Sequence, residues 1–258
     1  MKKRLVEAFV VGVTLVGFSS AAAAEEAKEY YSSGEIEFVP SSDPTDPVDP
    51  ENPDPENPVQ PIDPTDPNGP NPGTQGPLSI DYASSFDFGK NRISNKDQVY
   101  FARAQKYQTG HEDSPNYVQI SDNRGTNEGW TLTVEQPEQL TAATSTKNDV
   151  LTGAQISLSA PTVTSNSSSD TKPIAADNLA LIPGNAVVVT SAKAGTGSGL
   201  WLTSWGEVEE MEEPTEDGGI QKANVTKAVS LSIPGATPKD AVKYQTKLLW
   251  ALTDVPGN

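Results

Sequence analysis

The stretch Val118-Gln119-Ile120-Ser121-Asp122-Asn123-Arg124-Gly125-Thr126-Asn127-Glu128-Gly129-Trp130-Thr131-Leu132-Thr133-Val134 decides the fold. Val118 and Ile120 alternate with polar residues on one side of it. Trp130, Leu132 and Val134 alternate with Thr131 and Thr133 on the other. A period of two is that of a strand with one buried face. Ser121–Gly129 between them is rich in turn formers, so the pair predicts a β-hairpin.

The same pattern recurs outward from this stretch. Ile156 and Leu158 alternate before Pro161, and Val187-Val188-Val189 follows Pro183-Gly184. Val225, Val229, Leu231 and Ile233 share one parity, as do Tyr244, Thr246, Leu248, Trp250 and Leu252. The runs are short and are separated by Gly, Pro, Asn, Ser and Asp, which suits strands. No long 3.6-residue amphipathic pattern is present; the one candidate helical piece is short, around Asn95–Lys106. The expected fold is all-β, a sandwich or barrel-like single domain over residues 78–258. About 180 residues suffice for one sizeable core.

Two segments precede that domain. Lys2-Lys3-Arg4, the apolar run Ala8–Phe18 and Ala21-Ala22-Ala23-Ala24 read as a secretory signal peptide over residues 1–24. The apolar run is shorter than the ~20 residues a membrane span needs. Residues 25–77 are expected to be disordered, and 41–77 form an acidic linker with 12 of the 22 prolines, eight acids and no base. Such a composition is expected to stay unpacked and extended, a semi-rigid spacer.

Charge and composition narrow the function. Without residues 1–24 the chain keeps 15 Lys/Arg against 34 Asp/Glu, a net charge of −19. Nucleic acid and anionic membranes are poor partners for such a surface. There is no cysteine, so disulfides and thiol chemistry are excluded and an ordinary core must hold an exported chain together. His111 is the single histidine and no Gly-x-Ser-x-Gly turn exists, so neither a catalytic triad nor a histidine-based zinc site is indicated. Glu207–Asp217 holds seven acids in eleven positions but lacks calcium-loop spacing, and reads as a solvated surface loop. No cofactor or metal is expected. A polysaccharide hydrolase would need two paired carboxylates, and no motif nominates a pair.

Two Trp-x-Leu triplets stand out, Trp130-Thr131-Leu132 and Trp250-Ala251-Leu252. With Asp122-Asn123-Arg124-Gly125 and Gly129 before the first, and Val229–Gly235, Tyr244 and Thr253-Asp254-Val255-Pro256 around the second, the chain resembles the WxL family of Gram-positive surface proteins. The similarity spans roughly residues 76–258 and includes Gly199-Leu200-Trp201. Leu249 departs from the family, where Thr is common. The resemblance implies a secreted, non-enzymatic cell-surface protein attached non-covalently to peptidoglycan through its C-terminal domain. It also implies assembly with other surface proteins, including membrane-anchored ones with Ig-like domains. An indirect reading is open too, in which the domain docks on such a partner. Adhesion to host matrix or plant polymer fits either. A Leu-Pro-x-Thr-Gly sorting sequence is missing, which agrees with non-covalent attachment.

The candidate contact residues are Trp130, Leu132, Trp250, Leu252, Asp122, Asn123, Arg124 and Trp205. In each motif Trp and Leu share a parity, so they face one side of a strand. If that side is the core, the motif is structural and the contact lies elsewhere. If it is exposed, the rings can stack on sugar or anchor a protein interface. Asp122–Gly125 reads first as a tight turn, and as a polar contact loop at one end of the sheet only in second place. Trp205, beside the acidic run, is a better candidate for exposure than Trp201, and a core edge fits its position equally well.

Overall fold

The computed structural model describes residues 28–108, 110–168, 171–215 and 219–257. The expected signal peptide lies outside these, as do Glu216 and Asp217. The chain divides into two units, Met1–Phe38 and Val39–Asn258. The described part of the first, residues 28–38, holds no helix or strand and its side chains are exposed.

The second unit is built from antiparallel sheets; no helix occurs among the described residues. One sheet has the order β1 (Leu78–Ala83), β3 (Tyr117–Asp122), β11 (Gly199–Trp205), β7 (Pro161–Thr164). A second has the order β15 (Leu249–Thr253), β4 (Trp130–Glu135), β10 (Ala186–Ala192), β8 (Ile174–Ala175). The third has the order β12 (Val208–Pro214), β13 (Ile220–Ile233), β6 (Gln155–Ser159), β9 (Asn178–Leu181), with β2 (Gln98–Arg103) also on β13. β5 (Thr141–Ala142) pairs with β14 (Tyr244–Gln245). The all-β expectation holds.

Alternation explains how the strands meet. Trp130, Leu132 and Val134 of β4 are buried while Thr131, Thr133 and Glu135 are not. They join Ile80, Val118 and Ile120 from the first sheet and Ile156, Leu158, Val229 and Leu231 from the third in one core. Burying each of these aliphatic side chains contributes about 1.5–3 kcal/mol.

Three expectations about secondary structure change. β3 and β4 are not a hairpin: β3 pairs with β1 and β11, and β4 with β10 and β15. The segment between them is a corner from one sheet to the other. Gly125, Asn127 and Gly129 bend it with φ of 72°, 55° and 80°. The two apolar rows thereby face each other across the core. Asn95–Lys106 contains strand β2 in place of a helix, because Ala102 enters the core beside β13. Residues 208–214 of the acidic run form strand β12, paired residue for residue with β13. Its charges stay at the surface and are partly neutralised there: Lys222 contacts Glu210, Lys227 contacts Glu209 and Arg103 contacts Glu213.

The proline-rich segment is not the extended chain its composition suggests: turns at Asp54–Asn57 and Asp66–Gly69 bend it, the Val59 N–H reaches back to the Pro47 carbonyl at 2.8 Å, and the stretch 46–63 is packed rather than free. Val48 and Val59 are buried with Tyr82, Tyr107, Tyr117, Leu200 and Leu202 in a second apolar cluster. The Val48 N–H donates to Gln119 Oε1 at 2.8 Å, and Gln119 Nε2 donates to the Asp46 carbonyl at 3.0 Å. Ile62 N–H reaches the Lys106 carbonyl at 2.8 Å, and Thr164 Oγ1 the Pro50 carbonyl at 2.8 Å. This strap is why all six residues of β3 are buried. Composition missed it because a few valines suffice once a sheet face offers them a seat. Val48→Asp is expected to cost about 3 kcal/mol, from lost apolar burial and a charge left without a partner. Limited proteolysis should then cut within 46–63 much faster than in wild type, and an unchanged cleavage rate would mean the strap is held by other contacts.

Beneath the strap lies a buried carboxylate with no base paired to it among the described residues. A register shift between Ile80 and Tyr82 turns Asp81 toward β3. Its carboxylate accepts from Ser79 Oγ at 2.7 Å, Ser121 Oγ at 2.7 Å and Gln119 Nε2 at 3.0 Å. Burial raises the Asp81 pKa above the ordinary carboxylate value, and the three donors only partly offset it. The native state therefore holds this proton more tightly than the unfolded chain. Asp81 makes stability fall as pH rises from the ordinary carboxylate pKa through the raised one, and has no effect on the slope above it. Asp81→Asn should remove that slope in denaturant midpoints measured across this window; an identical slope in wild type and variant would contradict it. Asp240, lowered to about 2 by donors from Thr146 and Asn148, acts in the opposite sense, its contribution being lost as pH falls toward that value.

Candidate functional site

The two Trp-x-Leu motifs, 120 residues apart at their tryptophans, occupy neighbouring antiparallel strands. Leu252 of β15 lies opposite Leu132 of β4, Trp250 opposite Val134, and Thr253 opposite Thr131. The tryptophans therefore sit at opposite ends of one strand pair. Trp130 and Leu132 are both 0 % exposed, whereas Trp250 and Leu252 are half-buried.

Trp130 is held by geometry as well as burial. Its Nε1–H donates to the Gly197 carbonyl at 2.9 Å. A Cβ on Gly197, whose φ is +82°, would lie 2.3 Å from Ala192 Cβ and 2.7 Å from Trp130 Nε1. A Cβ on Gly129 would lie 2.4 Å from the Ala192 carbonyl oxygen. The Gly-Trp step of the motif thus exists because β4 starts against the end of β10. Gly197→Ala combines a left-handed φ with this clash. It is expected to lower stability by about 3 kcal/mol or more, read as a shift of the urea midpoint.

Asp122-Asn123-Arg124 is a clasp on the corner. Arg124 Nε and Nη2 donate to the two Asp122 oxygens at 2.8 Å each, and Nη2 also reaches the Gly129 carbonyl at 2.7 Å. Hydrogen bonding to Asp122 raises the Arg124 pKa further above its already high ordinary value. Asn123 works through its backbone: its N–H donates to the Pro77 carbonyl at 2.6 Å and its carbonyl accepts from Ser41 N–H at 3.2 Å. The end of β3, the approach to β1, the start of the strap and the start of β4 are tied together here.

Trp205, read as either an exposed ring or a core edge, is 1 % exposed and so belongs to the core. It packs between Phe86 and Trp250, with ring centroids 6.4 and 6.1 Å away. β11 carries it into the core opposite Pro161 of β7. Its place beside the acidic run was a poor guide because that run leaves the core as a strand.

Sequence reasoning about Trp and Leu did not single out the face their partners make. Where Trp and Leu point inward, the residue between them points outward. Thr131 and Thr133 of β4 thereby share a surface with Ala251 and Thr253 of β15 and with Val188 and Ser191 of β10, as their pairing requires. Leu249, 55 % exposed, and Val188, 47 % exposed, lie on it as well. Glu135 is the one charge among these paired positions, on a chain with 35 acids. Among the described residues no cluster of three or more His, Asp or Glu is placed to hold a metal ion.

A corner clasped by Asp-Asn-Arg and two Trp-x-Leu strands laid side by side form one architectural unit. A family model described as WxL domain surface cell wall-binding matches residues 25–256. The chain belongs to this family. The match runs through the strap as well as the sheets, in keeping with the strap's packing. Searches of curated proteins and of solved structures returned no match. WxL membership makes this a cell-wall-binding surface protein, located at the cell surface and wall. In it the name-giving residues are mainly core: the motif builds the sheet, and its intervening residues face outward.

Proposed function

We propose that the chain is exported and held non-covalently on peptidoglycan by the outer face of the sheet β15-β4-β10-β8. The observation that supports this is the character of that face. Its paired positions are rich in hydroxyl and small apolar side chains and include a single acid on a strongly acidic protein, and the backbone of Val255–Gly257 lies against Thr131 and Ser191 at one end. A neutral glycan or peptide surface can approach it without the repulsion that the rest of the molecule imposes on anions. Trp250 and Leu252 at the edge extend it; Trp130, Leu132 and Trp205 support it from behind. The buried carboxylates Asp81 and Asp122 are committed to structural hydrogen bonds, and the reading assigns the chain no catalytic step.

The test is sedimentation of residues 25–258 with protein-free peptidoglycan. Wild type is expected to bind. Thr133→Glu and Ala251→Glu, which keep the fold because both side chains point to water, should bind at least about tenfold more weakly, a loss of ~1.4 kcal/mol. Undiminished binding by both variants would move the contact off this face.

The exposure of Leu249 and Val188 supports a second reading, since exposed apolar side chains on a sheet face suit a protein partner. Here the domain docks on a membrane-anchored Ig-like surface protein and its wall association is indirect. Wild type would then fail to sediment with pure peptidoglycan but would do so once that partner is added.

A further inference from the structure

β4 is paired on both sides, so the outward residues of β15, β4 and β10 stand in three rows. Thr253, Thr131 and Ser191 form the first, Ala251, Thr133 and Val188 the second, and Leu249, Glu135 and Ala186 the third. Residues opposite one another on paired strands are close enough to meet one ligand group together.

The hydroxyls of this face have their protons turned to the backbone. Thr131 Oγ1 donates to the Val255 carbonyl at 2.8 Å, Thr133 Oγ1 to the Ala251 carbonyl at 3.3 Å and Thr253 Oγ1 to the Thr131 carbonyl at 3.4 Å. A hydroxyl whose single proton is committed can offer a ligand only its lone pairs. The first two rows therefore suit a ligand that brings N–H and O–H donors.

The third row carries the charge. Glu135 is half-buried, and its neighbours on either side, Leu249 and Ala186, are exposed and apolar. Among the described residues no base forms an ion pair with Glu135 and no hydrogen bond holds its carboxylate, although Lys247 lies only two residues before Leu249. The acids of β12 differ: Glu209, Glu210 and Glu213 each meet a base. A carboxylate set between apolar side chains is complemented by an ammonium on an alkyl stem. The methylenes pack on the apolar neighbours while the head meets the charge.

We propose that Glu135, flanked by Leu249 and Ala186, is the specificity-determining seat for an alkylammonium side chain of peptidoglycan. This rests on the outer face being the wall contact, and it names the group of the wall that the face selects. The peptide stems of peptidoglycan contain a diamino acid, whose side-chain amine is free wherever it is not cross-linked. The wall is the source of the amine because the chain belongs to a cell-wall-binding family. Stems that are not cross-linked are therefore the preferred ligand.

The experiment is sedimentation of residues 25–258 with two preparations of protein-free peptidoglycan, one native and one with its free amines capped by acetylation. Wild type should bind the native material at least about tenfold more tightly than the acetylated. Glu135→Gln, which keeps the shape and removes the charge, should bind both equally, at the level of wild type on acetylated wall. Its melting temperature should equal that of wild type, since the carboxylate has no partner to lose. Glu212→Gln, which removes an exposed acid of β12 in another sheet, should keep the wild-type preference and so separates the seat from net charge. Equal binding of wild type to both preparations overturns the amine seat and leaves the wall contact standing. A preference that persists in Glu135→Gln, or is lost in Glu212→Gln, also overturns it. Wild type that binds neither preparation overturns the seat and the wall contact together, including the case in which the amine belongs to a protein.

Discussion

Trp130→Ala is expected to lower the stability of the folded chain by about 4–5 kcal/mol, the upper end for removing a buried aromatic. Trp130 is 0 % exposed and stands in the core shared by three sheets. Its removal leaves a large void and strands the Gly197 carbonyl that its indole N–H now satisfies. Neighbouring strands cannot close the void, because β4 is fixed on both sides by β10 and β15. A loss of that size is a large share of the 5–15 kcal/mol that holds a typical domain together. Urea denaturation followed by tryptophan fluorescence and circular dichroism measures it. Wall binding should disappear together with the fold. A Trp130→Ala protein that stays fully stable yet stops binding would instead make the ring a contact group, against its burial. Trp250→Ala should cost less, since that ring is half-buried and loses mainly its packing on Trp205.

Asp122→Ala is expected to cost about 3 kcal/mol, the lower end for breaking a buried ion pair by removing one partner. The Asp122 side chain is 1 % exposed and that of Arg124 12 %, so the guanidinium left behind regains little water. It would keep only the Gly129 carbonyl as a close partner and a looser contact to Glu128 at 3.8 Å. The double variant Asp122→Ala/Arg124→Ala should be little worse than Asp122→Ala alone, because the two side chains act as one clasp. Strictly additive losses in this cycle would show that each residue works through separate contacts. Amide exchange at Asn123 and Trp130 should quicken in the single variant, since the corner joins strands that belong to different sheets.

Much of the strand content was legible because a period of two leaves a direct imprint on the chain. Trp130–Val134, Ile156–Leu158 and Val229–Ile233 became strands with the predicted sides inward. Pairing was less legible. A turn-rich segment between two strands can fold them into one sheet or carry them into two, and local sequence does not distinguish these. Here the Arg124 clasp and three positive-φ residues favour the corner. β12 escaped notice because its glutamates mask an edge strand whose partner, β13, supplies lysines and backbone hydrogen bonds. Of the candidate contact residues, the parity of Trp and Leu was readable, and so was the choice it posed between core and contact. The shift of interest to Thr131, Thr133 and Ala251 follows only once that parity is known to face inward.

By itself the sequence determined that the chain is all-β, acidic, free of cysteine and marked by two Trp-x-Leu motifs. These are properties of residue type and spacing, which survive without knowing what touches what. Only the tertiary structure decided that the motifs are neighbours across β4 and β15, that Trp130 and Trp205 are core, and that the strap belongs to the domain. Each of these depends on contacts between residues far apart in the chain. Val48 has no reason to be buried until Gln119, Tyr82 and Leu202 arrive from three different strands to receive it.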